Sequence, residues 1–168
     1  MQIDPDRLNV QLRNGLAPAY LVCGDEPLVI QECCDAIRKC AIEAGYSERS
    51  VVNVESGFDW ESIRFSTQSL SLFAERKLLE VRIPNGKPGE EGSRILTQLA
   101  ANPPVDTLLM VVTGKLDKQT RESGWAKTLG EAGVAVMAWP IDAEKLPQWI
   151  ERRMRSKGLR AGTGVASL

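Results

Sequence analysis

Few residues in this chain have the types and spacing that chemistry requires. After the apolar run AYLVC the sequence reads GDEPLVIQE, Gly24 to Glu32. A glycine turn between a strand and a helix is where backbone N–H groups and the helix N-terminus attract phosphate. A phosphate-wrapping loop is written GxxxxGK[ST], with glycines that let the backbone enclose phosphate and a lysine that neutralises it. This turn has a single glycine and no lysine, and it adds Asp25 and Glu26. Those carboxylates repel phosphate and are placed instead to complement the positive end of the following helix. A magnesium-binding acid pair is expected at the end of the third strand, but LLEVRIP offers Glu80 alone, read as an edge or surface position. Glu90-Glu91 and Asp4 with Asp6 lie in loops without the surroundings that split carboxyl pKa values, so they read as solvated charge.

The chain contains no histidine, which removes the commonest metal ligand and the usual general base near neutral pH. Serine-histidine-aspartate triads and histidine-based zinc protease sites are therefore excluded. The four cysteines, Cys23, Cys33, Cys34 and Cys40, match neither a CxxC redox motif nor paired zinc half-sites and read as buried thiols. No metal or cofactor is expected. With 21 Lys and Arg against 22 Asp and Glu, the net charge is -1, without the positive field of a free-standing nucleic-acid binder. No cationic leader with an apolar core is present, and no apolar run approaches the roughly 20 residues that span a bilayer. The expected location is the cytoplasm, with no membrane partner.

The elements that position these residues follow from periodicity. DPDRLNVQLRNG opens with Asp-Pro, carries Leu8 and Leu12 one turn apart and closes on Gly15, as a short amphipathic helix does. AYLVCG is a buried strand, and PLVIQECCDAIRKCAIEAG follows with Ile30, Cys33/Cys34, Ile37 and Cys40/Ala41 at helical spacing. SVVNVES is a second strand. DWESIRFSTQS is a helix with Asp59 as N-cap and Trp60, Ile63 and Thr67 inward. KLLEVRIP is the third strand, NGKPGEEG a surface loop, and residues 93 to 101 a helix. TLLMVVTG is the fourth strand, KLDKQTRESGWAKTLGEAG one long polar helix, and VAVMAWP the fifth strand.

Strand and helix thus alternate five times over residues 19 to 139. Continuous apolar strands of this kind are those buried on both faces of a parallel sheet, with right-handed crossovers placing helices on either side. The expectation is an α/β domain over residues 1–140 with a five-stranded parallel sheet, and over 141–168 the truncated beginning of a small helical second domain.

One stretch has no place in this scheme. QSLSLF, Gln68 to Phe73, sets Leu70, Leu72 and Phe73 at a helix end where the chain is about to turn. Either the three side chains plug this chain's own core, or they serve another protein's.

Taken in order, YLVCGDEPLVIQE, QSLSLFAERKLLEVRIP, LLMVVTGKLDKQTRESGWAKTL and LPQWIERR resemble the delta subunit of the bacterial DNA polymerase III clamp loader. The family's turn is similarly G-[DN]-[DE]-P-L-[LV]-x-Q-E, and the four blocks span residues 19 to about 155. The resemblance implies an AAA+-like first domain that has lost nucleotide binding. This agrees with the independent reading of GDEPLVIQE, while Gly114-Lys115-Leu116 falls where related ATPases carry a sensor residue. It implies no intrinsic catalysis, and a role in DNA replication: gripping the beta sliding clamp and helping to open the ring for loading onto primed DNA. The family's clamp-binding element corresponds here to Gln68, Leu70, Leu72 and Phe73, with Leu72 and Phe73 expected to enter an apolar clamp pocket. Other loader subunits are expected to join through a C-terminal collar domain that the sequence lacks, and DNA is expected as a partner only in the assembled complex. For Arg152, Arg153, Arg155 and Lys157, a solvated helix face is preferred to a DNA contact. The alternatives are an ATPase or kinase of the same fold, or a loader scaffold without clamp contact.

Overall fold

A computed structural model describes residues 1–68, 76–122, 124–156, 158–160 and 162. The chain divides into two compact units, Met1–Ala138 and Trp139–Leu168. In the first, the elements run β1 (Gln2–Ile3), α1 (Pro5–Arg13), β2 (Ala19–Gly24), α2 (Pro27–Glu43), β3 (Glu48–Asn53) and α3 (Glu61–Gln68). They continue with β4 (Lys77–Ile83), α4 (Gly89–Ala101), β5 (Thr107–Thr113), α5 (Lys118–Arg121), α6 (Gly124–Ala132) and β6 (Val134–Ala138). The second unit holds a 3₁₀ turn, Ala143–Lys145, and α7 (Leu146–Ser156).

The strands form one sheet in the order β1-β6-β2-β5-β4-β3, and every neighbouring pair is parallel. Among the described residues the sheet therefore has six strands rather than the expected five. The additional strand is a two-residue edge in which Gln2 and Ile3 pair with Ala135 and Val136 of β6. Two residues carry no alternation, so nothing in the sequence marks it. All six residues of β2 are buried, and both α2 and α6 pack on it, as a central strand covered on each face requires.

Two helices differ from expectation for identifiable reasons. The long polar helix after β5 is divided into α5, which ends at Arg121, and α6, whose first residue Gly124 has a left-handed φ of 48° that a continuous α-helix does not take. The segment read as a loop before residue 93 is already helical from Gly89, because Glu90 and Glu91 lie in the first turn of α4 and complement its positive end. Gly92 faces the Trp60 ring so closely that an added Cβ would lie 2.4 Å from it, which fixes α4 against the entry to α3.

The entry to α3 follows the sequence. Asp59 Oδ1 accepts a hydrogen bond from the Glu61 N–H at 3.1 Å, while Trp60 and Ile63 are buried.

Candidate functional site: the strand ends and the end of α3

In an open parallel sheet, ligands and partners meet the crevice beyond the carboxyl ends of the strands, where neighbouring connections leave in opposite directions. Here β2 lies between β5 and β6, and the crevice opens beyond Gly24, Ile83 and Thr113. It holds a cavity of about 580 Å3 whose lining includes Gly24, Ile30, Arg38, Glu80, Arg82 and Gly114.

Glu80 corrects the sequence expectation most sharply. It stands in the interior of β4, between Val51 of β3 and Met110 of β5, and is fully buried. An isolated carboxylate there would be prohibitively costly, and three guanidiniums compensate it. Arg38 of α2 donates from Nε to Oε2 at 3.1 Å and from Nη2 to Oε1 at 2.7 Å. Arg49 of β3 donates from Nε to Oε2 at 3.1 Å, and Arg82 donates from Nε to Oε1 at 2.7 Å. Burial pushes the Glu80 carboxyl upward, but the hydrogen bonds from Arg38, Arg82 and Arg49 outweigh it and hold the group below its ordinary value. The partly buried Arg38 is held charged in turn, its desolvation outweighed by Glu80. The legible signal was Arg82: two residues apart on a strand means the same face.

At the rim, Lys115 Nζ lies 2.9 Å from Asp25 Oδ2, so the lone lysine after β5 meets the acidic turn after β2. Asp25 was expected to serve the α2 N-terminus, yet its ion-pair partner is Lys115. Glu26, the α2 N-cap, makes no side-chain capping hydrogen bond. Among the described residues, no group of three or more Cys, Asp or Glu converges as metal ligands would.

The cysteines lie where helical spacing placed them. Cys33 and Cys34 are buried on α2, Cys40 is half-buried, Cys23 is buried in β2, and all four are free thiols. Burial pushes Cys23 and Cys34 up to about 11 and Cys33 to about 12.

Of the clamp-binding residues inferred from sequence, Gln68 is the last residue of α3. Leu70, Leu72 and Phe73 lie outside the described residues. On the same helix, Phe65 is 69% exposed, while Ile63 is turned into the core. In the second unit, Arg153 stacks on the Trp149 ring at 5.0 Å and Arg155 pairs with Glu151 at 3.4 Å; Lys157 lies outside the described residues. No helix among the described residues is long and apolar enough to cross a membrane.

The architecture is that of a parallel α/β domain. It superposes on the Thermotoga maritima RuvB protein with a TM-score of 0.55 at 14% identity, covering 95% of this chain and 50% of that one. On the Bacillus subtilis DNA clamp loader delta protein the TM-score is 0.68 at 19% identity, covering 96% of this chain and 49% of that chain. Residues 20–138 match the family model of the DNA polymerase III delta subunit, and the chain belongs to that family. DNA polymerase III subunit delta of Escherichia coli is 31% identical over 159 residues, which are 95% of this chain and 46% of that protein. The chain thus spans about half the length of the curated relatives it matches.

Proposed function

We propose that this chain is a clamp-loader subunit in DNA replication that binds the beta sliding clamp through the segment ending α3 and helps to open the ring for loading. The observation that carries the reading is the position of QSLSLF in a chain of the delta family: it begins at Gln68, the last residue of α3, a helix anchored in the core at its start by the buried Trp60 and Ile63. Leu72 and Phe73 act as a plug in an apolar clamp pocket, Gln68 fixes the register by donating and accepting hydrogen bonds, and Leu70 is shared between the two proteins. Burying a Leu and a Phe from water is worth about 1.5–3 kcal/mol each, enough for a hot spot in a small interface.

Pocket binding alone does not open a ring, since a ligand shifts an equilibrium only by its differential affinity for the two states. The reading therefore includes further contacts to surface that the open clamp presents better. Residues 1–140 form the clamp-binding domain with a degenerate phosphate loop, and 141–168 begin a helical domain. The chain acts without catalysis of its own, in the cytoplasm, joined to other loader subunits through a C-terminal region, and meets primed DNA only within that assembly. What supports the absence of ATP chemistry is the turn after β2, where Asp25 pairs with Lys115 and no phosphate-loop lysine is present.

The test is co-elution of the chain with purified beta clamp on a sizing column, beside a Leu72→Ala/Phe73→Ala variant, with ATP turnover measured in parallel. Complex formation by the parent, lost in the variant, without turnover is expected. Co-elution unchanged in the variant removes the plug assignment, absence of any complex favours a scaffold, and turnover favours an ATPase.

A further inference from the structure

The sheet ends on an open edge. Among the described residues β3 is hydrogen-bonded to β4 alone, in a continuous register from Glu48↔Lys77 to Asn53↔Arg82. The Glu48 N–H donates to the Arg76 carbonyl at 3.4 Å, and the Val54 N–H donates to the Arg82 carbonyl at 2.8 Å. Backbone direction alternates along a strand, so the N–H and C=O groups of Glu48, Ser50, Val52 and Val54 face β4, while those of Arg49, Val51 and Asn53 face away from the sheet. These outward groups have no hydrogen-bond partner among the described residues, and all three residues are exposed. Natural edges are blunted by proline, lysine, a bulge or a projecting charge. The β3 sequence, ERSVVN, has no proline or lysine, and its unbroken register has no bulge. The charge among its edge-facing residues, Arg49, is drawn in over the sheet, with Nε and Nη2 held on Glu80 Oε2 at 3.1 Å and 2.9 Å.

We propose that this edge pairs with the β3 edge of a second copy of the chain, antiparallel about a two-fold axis at Val51. Such a contact is isologous, so each residue meets a counterpart that meets it in return. Centred on Val51, the pairing sets Val51 against its own symmetry mate and Arg49 against Asn53 of the second copy. All three edge-facing residues then lie in pairs that exchange two hydrogen bonds each. Val51, 39% exposed, gains a β-branched neighbour across the axis. Glu48 falls opposite Val54 and Arg49 opposite Asn53, so no like charges meet directly. Centring the pair on Arg49 sets two guanidiniums against each other, and centring it on Asn53 puts Arg49 opposite Gly57, beyond the end of the strand. Val51 is therefore the centre that fills the edge, and this self-complementarity favours a second copy over an unrelated strand. Strand addition supplies main-chain hydrogen bonds but buries little surface, so the dimer is weak and concentration-dependent. The pairing uses β3 and not the end of α3, so its failure leaves the clamp-binding reading untouched.

The experiment is sedimentation velocity of the chain from about 10 μM to about 1 mM, the range in which a small interface assembles. A sedimentation coefficient that rises from monomer towards dimer is expected. Val51→Pro deletes an N–H that makes no bond to β4, at a place where an edge strand tolerates proline, and should weaken the dimer at least about tenfold by removing one hydrogen bond from each copy. Val51→Lys sets two ammonium groups on the axis and should weaken it in the same direction. Val10→Lys makes the same change at a 60% exposed position of α1, which packs against β6 towards the other end of the sheet, and should leave the dimer unchanged. Amide hydrogen exchange of the parent gives a second measure. The Arg49, Val51 and Asn53 amides should slow as concentration rises, whereas those of Ser50 and Val52 are protected by β4 at every concentration. The proposal is overturned if the parent stays monomeric up to about 1 mM, if the dimer persists undiminished in both Val51 variants, or if the Arg49, Val51 and Asn53 amides exchange at a rate independent of concentration.

Discussion

Arg38 on α2 grips both oxygens of Glu80 on β4, at 3.1 Å and 2.7 Å, and so fastens a helix to the middle of the sheet through the interior's one fully buried carboxylate among the described residues. With Arg49 and Arg82 on the same carboxylate, three elements, α2, β3 and β4, converge on one side chain. Removing the acid leaves three guanidiniums crowded together without their counter-charge. Glu80→Ala is expected to destabilise the chain by about 2–3 kcal/mol in urea denaturation, below the about 3–5 kcal/mol of breaking a fully buried ion pair because two of the arginines are half-exposed. Lys115→Met, which breaks the exposed pair with Asp25, should cost less than about 1 kcal/mol. Equal costs for the two would show that Glu80 is not held in a desolvated network.

The same network predicts a pH dependence. The Glu80 carboxyl is held below its ordinary value of 4.5 in the folded chain, so the unfolded chain binds the proton more readily. Its stabilising contribution is therefore present above the unfolded value and is lost as pH falls through the folded one. Stability should decline as the pH drops below about 4.5, and Glu80→Gln should start lower but decline less steeply in that acidic range. Thermal melts from neutral to acid pH for both proteins check this; parallel limbs would contradict it.

The fold was legible because the inner strands β2, β4, β5 and β6 are largely apolar runs set apart by turns, a pattern that parallel sheets produce, whereas the edge strand β3, ERSVVN, is half-buried and was marked by its two valines. What escaped were features with too little sequence to carry a period, such as β1, and features that depend on partners far apart in the chain. Glu80 in an apolar run reads as exposed until Arg38, 42 residues away, is brought beside it. Asp25 and Lys115 are 90 residues apart, and each alone says little. The start of α4 was hidden because glycines and a proline near a helix end look like a loop, although here Gly92 is required by the ring it faces. For the candidate clamp segment, the residues in question are apolar side chains at a helix end, so local pattern leaves core and interface readings open, and the interface reading rests on the family resemblance alone.

Gly92 and Trp60 form a size-matched pair. An alanine Cβ at 92 would lie 2.4 Å from two ring carbons of Trp60 and 2.8 Å from the Pro88 side chain, so ring or helix must move. Gly92→Ala is expected to cost about 1–3 kcal/mol despite its gain in helix propensity. Adding Trp60→Leu relieves the overlap, so the double variant should lose less than the sum of the two single variants, as a double-mutant cycle by urea denaturation would read out. Additivity would mean that the two positions are not in contact.

The thiols report whether α2 is seated on the sheet. Thiolate is the reacting species, and with burial raising Cys23 and Cys34 to about 11 and Cys33 to about 12, only a minute fraction of each is ionised at mildly alkaline pH. Access adds to the protection, since all three are buried while Cys40 is half-buried. With a chromogenic disulfide reagent at pH near 8, Cys40 should react first, with the other three following at the rate of local opening. Denaturant should make all four react together. Cys40→Ser should remove the fast phase and leave the slow one, whereas a remaining fast thiol in that variant would place α2 away from the sheet in solution. Glu80→Ala should accelerate the slow phase, because Cys34 lies on the helix that Arg38 fastens to β4.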